Sequence, residues 1–362
     1  METRILRSLL VLLPISCAAW SAQVPDEATS QNNLGSRLYS AGQFRQAEAP
    51  LARAIDLWSK EPGAGEESPD LEIALHNLAA VYRSEGRLSE AIPLYERAIH
   101  LRESRAGATD LGLLLPLDGL ALLYLDLHEL RESKSVSDRA LSIAHLHRDE
   151  QTAEAAAAFS AMGSILAAQA RYSEARSWIG RALSVRERLF GPESLECAGA
   201  WMDLALVYRR ERRLDDAARA YDQALKIYRE TEGASGMAAA MSGLAGLQIA
   251  RHRSAEAGDL YEQALMILQM SRSSDDSEVG QVKAELAGVR VAQKRMAEAV
   301  KLYRGALGVL EAAWGAENPR LLPFLELYAK ALRAQEDYAE AAGVDFQSMK
   351  IRVKQTLGKS PA

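Results

Sequence analysis

The side chains best able to do chemistry in this chain are six histidines and several neighbouring carboxylates. Only His145 and His147 lie close together, and their two-residue spacing puts them on different sides of a helix, which does not suit a zinc site. Asp215 and Asp216 lie beside arginines in a predicted turn, where turn and capping chemistry explain them without catalysis. Neither a glycine-rich phosphate loop nor a Gly-x-Ser-x-Gly elbow occurs. We therefore predict no enzyme activity, no cofactor and no metal.

The N-terminal segment is typical of an export signal. Two arginines precede the apolar run 9–15, and the small residues 16–19 follow it. We predict a signal peptide at 1–22, cleaved near 19–22, a short linker at 23–30, and a bacterial periplasmic or extracellular location. A lipid anchor at Cys17 is the rival interpretation, although Pro14 disfavours it. Signal removal leaves Cys197 as the one cysteine, predicted to be buried, and no other apolar run approaches the length of a transmembrane segment.

The charge balance argues against nucleic-acid binding. The chain has 43 Lys and Arg against 49 Asp and Glu, a formal net charge of −6. The basic run 209–213 is interrupted by Glu211 and followed by acidic residues, so no broad basic surface for phosphates is expected.

An alanine recurs about every 42 residues and predicts a repeat array. Its positions are Ala54, Ala98, Ala140, Ala182, Ala224, Ala264 and Ala306. Each unit of such an array buries its apolar face only against its neighbours. We predict an all-α, right-handed superhelical solenoid of about eight antiparallel helix pairs over 31–357, forming one elongated unit, with a flexible tail at 358–362.

The second unit shows how each pair is built. Leu78 and Tyr82 lie four residues apart on one face of a first helix. Gly86 can take the left-handed conformation that ends this helix. Ser89 is expected to cap a second helix, whose apolar face includes Tyr95.

A small residue follows the core position of every first helix, where paired backbones must approach closely. These residues are Gly35, Ala79, Ala121, Gly163, Ala205, Ala245, Ala287 and Ala329. The residues expected to face them on the second helices are Leu51, Tyr95, Ile179, Tyr221, Tyr261 and Tyr303.

This set of small and aromatic positions resembles the tetratricopeptide repeat. The usual period is about 34 residues, so the longer period is similar to the variant of kinesin light chains and many bacterial proteins. That variant carries Gly-x-x-His-Pro between repeats, where this chain has Asn318 before Pro319, and the Asn77–Ala79 stretch is retained. The resemblance implies a non-enzymatic scaffold that binds a protein or peptide in its concave groove.

In arrays of this family the first helices line the groove. Their outward positions give the candidate contacts His76, Arg83, Asp118, Asp126, Arg209, Arg210, Glu326, Lys330 and Arg333. Some units present small or apolar residues there instead, among them Gly288 and Val291, which suits an apolar ligand segment.

Departures from the pattern predict weak or terminal units. Gln248 and Arg290 replace apolar residues and predict lower local stability. Asp345 and Ser348 predict a last helix whose outer face meets water. Two other roles stay open: a self-assembling structural module, and a substrate-selecting subunit of an envelope enzyme complex.

Overall fold

A computed structural model describes residues 27–40, 43–60, 69–148, 151–231, 233–271 and 276–357. Within these ranges the protein is all-α and contains no strand. The predicted signal peptide with Cys17, residues 23–26 of the predicted linker, and the predicted tail lie outside the described residues. No helix in the described ranges combines the length and apolar character that crossing a membrane would require.

Sixteen α-helices make up the described chain. They are α1 Glu27–Ser40, α2 Phe44–Ser59, α3 Pro69–Glu85, α4 Leu88–Ala106, α5 Leu114–Asp126, α6 Leu130–Leu146, α7 Ala153–Ala168, α8 Tyr172–Phe190, α9 Leu195–Arg210, α10 Leu214–Glu230, α11 Ala234–Ala250, α12 Ser254–Ser271, α13 Ser277–Ala292, α14 Met296–Trp314, α15 Leu322–Ala334 and α16 Tyr338–Leu357. Short 3₁₀ turns precede α5 and α15.

The chain divides into two compact units, residues 1–185 and 186–362. The boundary between them falls within α8, and the predicted array over 31–357 runs through both units. In the first unit α1 packs on α2, α3 on α4 and α5 on α6. In the second unit α9 packs on α10, α11 on α12, α13 on α14 and α15 on α16. Successive first helices also touch, as α3 does with α5 and α13 with α15.

Helix α1 begins earlier than predicted. Residues 27–30 were assigned to a linker, yet they form the first turn of the helix. The reason is burial, because Ala28 packs in a cluster with Trp58 and Leu71. Removing such apolar surface from water favours the helical turn over an extended linker.

The recurring alanines and small residues lie where the sequence places them. All seven alanines of the periodic series are fully buried. A Cβ atom built on Gly35 would lie 2.4 Å from Leu51 Cγ, and one on Gly163 would lie 2.4 Å from Ile179 Cγ1. These two predicted facing pairs are therefore in direct contact. Cys197 is also buried, as predicted, and its Sγ lies 3.3 Å from the carbonyl oxygen of Gly191.

The turns within the helix pairs share one backbone geometry. Gly86 has φ 78°, and six other turns place a non-glycine residue in the same left-handed region. The next backbone N–H then donates to the carbonyl oxygen five residues back, as Arg171 N does to Leu166 O at 2.8 Å. The predicted cap at Ser89 is wrong, because α4 begins at Leu88 and its N-cap residue is Arg87. There the Arg87 guanidinium pairs with Glu90 at 2.7 and 2.8 Å.

Ala170 in the fourth repeat has φ 61°, a conformation that costs an L-residue about 1–2 kcal/mol and glycine almost nothing. We expect Ala170→Gly to raise the free energy of unfolding by about 1 kcal/mol. The matched control is Ala168→Gly at the end of α7, where glycine should lower it by a similar amount. Urea unfolding of both variants measures the change in the free energy of unfolding. Equal changes in the two variants would contradict a strained left-handed conformation at Ala170.

Two departures from the repeat pattern make contacts that the sequence did not show. Arg290 is buried, and its guanidinium pairs with Glu262 and donates to Gln293 Oε1 at 2.8 Å. The lower local stability of this unit stays a prediction. Asp345 is exposed as predicted, but Ser348 is buried and donates to the carbonyl oxygen of Val344. The exposed side of α16 carries apolar residues such as Phe346 and Met349 beside the charged residues Asp345, Lys350 and Lys354.

Candidate functional site

An open cavity of about 590 Å³ lies between α13 and α15, the first helices of the last two repeats. Its lining residues are Gly288, Val291, Ala292, Lys294, Met296, Leu327 and Lys330. The volume falls within the range of ordinary ligand sites. Its walls are mainly apolar, and the two lysines supply the only charged side chains of the lining.

Helical spacing places the lining residues of each helix on one face, and the faces of α13 and α15 border the cavity. Gly288, Val291 and Ala292 share one face of α13, since they lie three and four residues apart. Leu327 and Lys330 occupy one face of α15 for the same reason. A side chain at 288 would approach Leu327 Cδ1 at 3.5 Å, so the absence of one keeps the cavity open.

Lys294 and Lys330 are both exposed at this cavity. Lys294 occupies the left-handed position of the α13–α14 turn, with φ 62°. Within the described part of the chain, neither ammonium group has a hydrogen bond or ion pair. Their charges are therefore available to an anionic group that is placed beside the apolar walls.

The predicted contacts on α15 fall into two groups. Lys330 lies at the cavity. Glu326 pairs with Arg352 and Arg333 pairs with Asp345, so these two side chains join α15 to α16. The prediction missed the cavity residues Lys294, Met296 and Leu327, because it used only the outward positions of first helices. Lys294 and Met296 lie outside the first helices, and Leu327 directly precedes the core residue Tyr328.

Arg209 and Arg210 lie in the last turn of α9. The guanidinium of Arg209 extends over α11, where it would lie 3.2 Å from a Cβ built on Gly246. Arg210 is half-buried. Both cations complement the negative end of the α9 dipole. Both residues lie on a first helix, and their role as groove contacts stays a prediction.

The four predicted contacts of the first unit do come together, around Tyr95. The Nε of Arg83 donates to Asp126 Oδ2 at 2.8 Å and joins α3 to α5. Burial opposes the charge of Arg83, but Asp126 and the nearby tyrosines raise its pKa. His76 lies edge-on to the Tyr95 ring at a centroid distance of 5.6 Å.

Two of these residues are not groove contacts. His76 and Asp118 are buried, with 6% and 2% of their surface exposed, so the prediction of outward side chains is wrong for them. The cause is close packing: the Tyr95 ring lies against Gly119, where an added Cβ would come within 2.3 Å of the ring. Burial lowers the pKa of His76 to about 4. In the described part of the chain neither ring nitrogen of His76 has a hydrogen-bond partner.

No group of three or more His, Cys, Asp or Glu side chains suited to a metal occurs among the described residues. His145 stacks edge-on against Trp178, and His147 Nε2 lies 2.8 Å from the carbonyl oxygen of Thr109. Both imidazoles therefore serve packing and local hydrogen bonding.

Comparison with known families identifies the repeats. One tetratricopeptide-repeat profile matches residues 70–145, 154–230 and 196–270, and a second matches residues 28–70. These segments cover more than half of the chain. The chain is a tetratricopeptide-repeat protein.

This tetratricopeptide-repeat protein is similar to a kinesin light chain-related protein, in agreement with the long-repeat variant predicted from the sequence. Protein KINESIN LIGHT CHAIN-RELATED 1 of Arabidopsis thaliana is 27% identical over 224 residues, 61% of this chain and 36% of that protein. The chain thus spans about a third of that relative's length.

Two solved structures are also similar to the tetratricopeptide-repeat chain. BtubC (BKLC) from P. vanneervenii is 19% identical, with a TM-score of 0.49 over 63% of this chain and 92% of its own. A putative kinesin light chain from Podosopora anserina, with nearly identical TPR-like repeats, is 18% identical. Its TM-score is 0.40 over 58% of this chain and 98% of its own.

Proposed function

We propose that this protein is a non-enzymatic scaffold that binds a segment of another protein along its first helices. The observation that carries the proposal is the apolar cavity between α13 and α15, flanked by two exposed and unpaired lysines. The cavity is formed by packed helices of two neighbouring repeats and is present without a ligand. Such preformed sites bind with a small ordering cost.

The chemistry of the cavity selects the segment. An apolar side chain such as Leu, Met or Phe would enter between Val291 and Leu327 and lose its contact with water. A carboxylate beside it would approach Lys294 or Lys330. We therefore infer an acidic peptide with an apolar residue among its carboxylates. The charges fix its position, and the apolar anchor supplies most of the affinity.

Binding of selected peptides tests this proposal. Twelve-residue peptides selected on the protein from a random library should contain an apolar residue next to Asp or Glu. In fluorescence anisotropy, Lys294→Glu with Lys330→Glu should weaken their binding about tenfold or more, and Gly288→Trp should abolish it by filling the cavity. Added salt should weaken wild-type binding.

Lys134→Glu with Lys301→Glu is the matched control, since both lysines are exposed and lie on second helices. It changes net charge equally and should leave binding unchanged. Equal loss in this control would mean that binding follows net charge alone. Unchanged affinity in the Gly288→Trp variant would place the peptide elsewhere and reject the cavity as the site.

We also propose that the scaffold is exported to a bacterial periplasm or the cell exterior. The proposal rests on the charged, apolar and small-residue pattern of residues 1–22. The mass of the mature N-terminus tests it: cleavage near residues 19–22 is expected, a lipid on Cys17 would indicate an anchored form, and an intact Met1 would reject export.

A further inference from the structure

Arg209 lies on the first-helix surface of the second unit, and its charge is not neutralised by an ion pair. Its Nη1 would lie 3.2 Å from a Cβ atom built on Gly246, so the guanidinium lies against α11. The side chain is half-buried. Within the described ranges it has no hydrogen bond or ion pair. A guanidinium that is partly withdrawn from water and unpaired gains from an added carboxylate.

The same repeat position holds an arginine in two other first helices, and there a carboxylate of the chain pairs with it. Arg83, Arg209 and Arg333 each lie four residues after the small residue of their first helix. Arg83 donates to Asp126 of the next first helix at 2.8 Å. Arg333 pairs with Asp345 of α16. An arginine at this position is therefore well placed to bind a carboxylate.

The carboxylate that would pair with Arg209 is missing from the next first helix. In α5, Asp126 lies five residues after the small residue Ala121. In α11, the residue five positions after the small residue Ala245 is Ala250, which is exposed. An alanine side chain offers no acceptor. The comparison of repeats therefore leaves room beside Arg209 for the carboxylate of a ligand.

The surface between Arg209 and the α13–α15 cavity continues the pattern of the cavity wall. Gly246 and Ile249 on α11 occupy the repeat positions that Gly288 and Val291 occupy on α13. Ile249 exposes 41% of its surface. Helix α11 contacts α13, and α13 contacts α15, all within the second unit. A peptide that lies across the cavity can therefore continue over α11 to the Arg209 guanidinium.

We propose that Arg209 is a second anion-binding subsite of this groove and takes an Asp or Glu carboxylate of the acidic peptide whose apolar residue fills the cavity. The inference rests on the proposed function and adds a spacing to it. Packed helices lie about 8–10 Å apart, so the step from α11 to the middle of the α13–α15 pair is about 12–15 Å. An extended peptide advances about 3.3 Å per residue, which places the second carboxylate about four or five residues from the apolar residue.

Designed peptides test the subsite by fluorescence anisotropy. A core peptide carries Asp-Leu-Asp within a chain of Ser and Gly, and a series adds one further Asp at increasing distance from the Leu. Affinity should be highest with the added Asp about four or five residues away, and about fivefold above that of the core peptide, the upper end for a partly exposed ion pair. Arg209→Gln should remove this gain and leave binding of the core peptide unchanged. Arg209→Glu should instead favour the peptide with Lys at that place.

Ala250→Asp restores the missing carboxylate within the chain. Arg209 should then pair as Arg83 does, so the gain from the added Asp should be lost while the core peptide binds as before. Arg229→Gln is the matched control, because Arg229 is exposed on the second helix α10. It removes the same charge and should keep the gain. Far-UV circular dichroism checks that each variant is folded.

The outcomes separate this inference from the proposed function. Binding of the core peptide with no gain from the added Asp at any distance would overturn the subsite and leave the cavity in place. A gain that survives Arg209→Gln, or is lost equally in Arg229→Gln, would also overturn the subsite. If neither the core peptide nor any member of the series binds, both proposals fail.

Discussion

Acidification from pH 7.5 to pH 4.5 is expected to destabilise the first unit by roughly 2–3 kcal/mol through His76 alone. The imidazole is buried beside Tyr95, and burial lowers its pKa from 6.5 to about 4. The folded pKa is below the unfolded one, so the unfolded state binds the proton first as the pH falls. The stabilising effect is therefore present above pH 6.5 and is lost progressively towards pH 4.

The control for this prediction is a second histidine. His76→Gln should remove most of the pH-dependent difference, whereas His100→Gln, on the exposed face of α4, should leave it in place. Hydrogen-exchange protection of α3 and α5, corrected for the intrinsic pH dependence of exchange, measures local stability even if the repeats unfold in steps. Parallel loss of protection in wild type and His76→Gln would contradict the assignment.

Gly163→Leu should lower the free energy of unfolding of the first unit by about 3 kcal/mol, at the upper end of overpacking effects. A Cβ atom at 163 would meet Ile179 Cγ1 at 2.4 Å and the backbone oxygen of Ala175 at 3.2 Å. The side chain of Ile179 can yield, but the backbone cannot move without separating α7 from α8. Urea unfolding followed by circular dichroism measures the loss.

Gly180 on α8 provides the matched control for Gly163. A Cβ at 180 would meet nothing within 4 Å, so Gly180→Leu should be neutral or stabilising by about 1 kcal/mol through helix propensity. Ile179→Ala should partly rescue Gly163→Leu, which a double-mutant cycle would detect as coupling. Equal effects at positions 163 and 180 would show that close helix approach does not determine the repeat signature.

The parts of the fold that follow from local pattern were predictable. The buried alanines, the Gly163–Ile179 contact and the left-handed turn at Gly86 each depend on residues within one repeat. The start of α1 was not predictable, because it depends on burial of Ala28 against Trp58 from the next helix. Local spacing cannot show how deeply a neighbouring repeat covers a residue.

The same limit explains the candidate site. A helical offset places a residue on a face, but His76 and Asp118 become buried because of how Tyr95 packs on the following helix. The pairing of Glu326 and Arg333 with α16 likewise depends on the neighbouring helix. At the cavity, the sequence predicted Gly288, Val291 and Lys330, which lie on first helices. It did not predict Lys294, which lies in a turn, or Met296, which begins a second helix.

The central claim, that the first-helix cavity holds a segment of another protein, is tested most directly by site-specific photo-crosslinking. A benzoylphenylalanine placed at Leu327 lies in the cavity, and one at Met270, which is 84% exposed on α12, provides the control. In an envelope extract of the source organism, position 327 should crosslink one defined segment with an apolar residue beside Asp or Glu, and the Lys294→Glu, Lys330→Glu background should remove the adduct. Adducts that are identical at both positions, or that survive these charge reversals, would contradict the account.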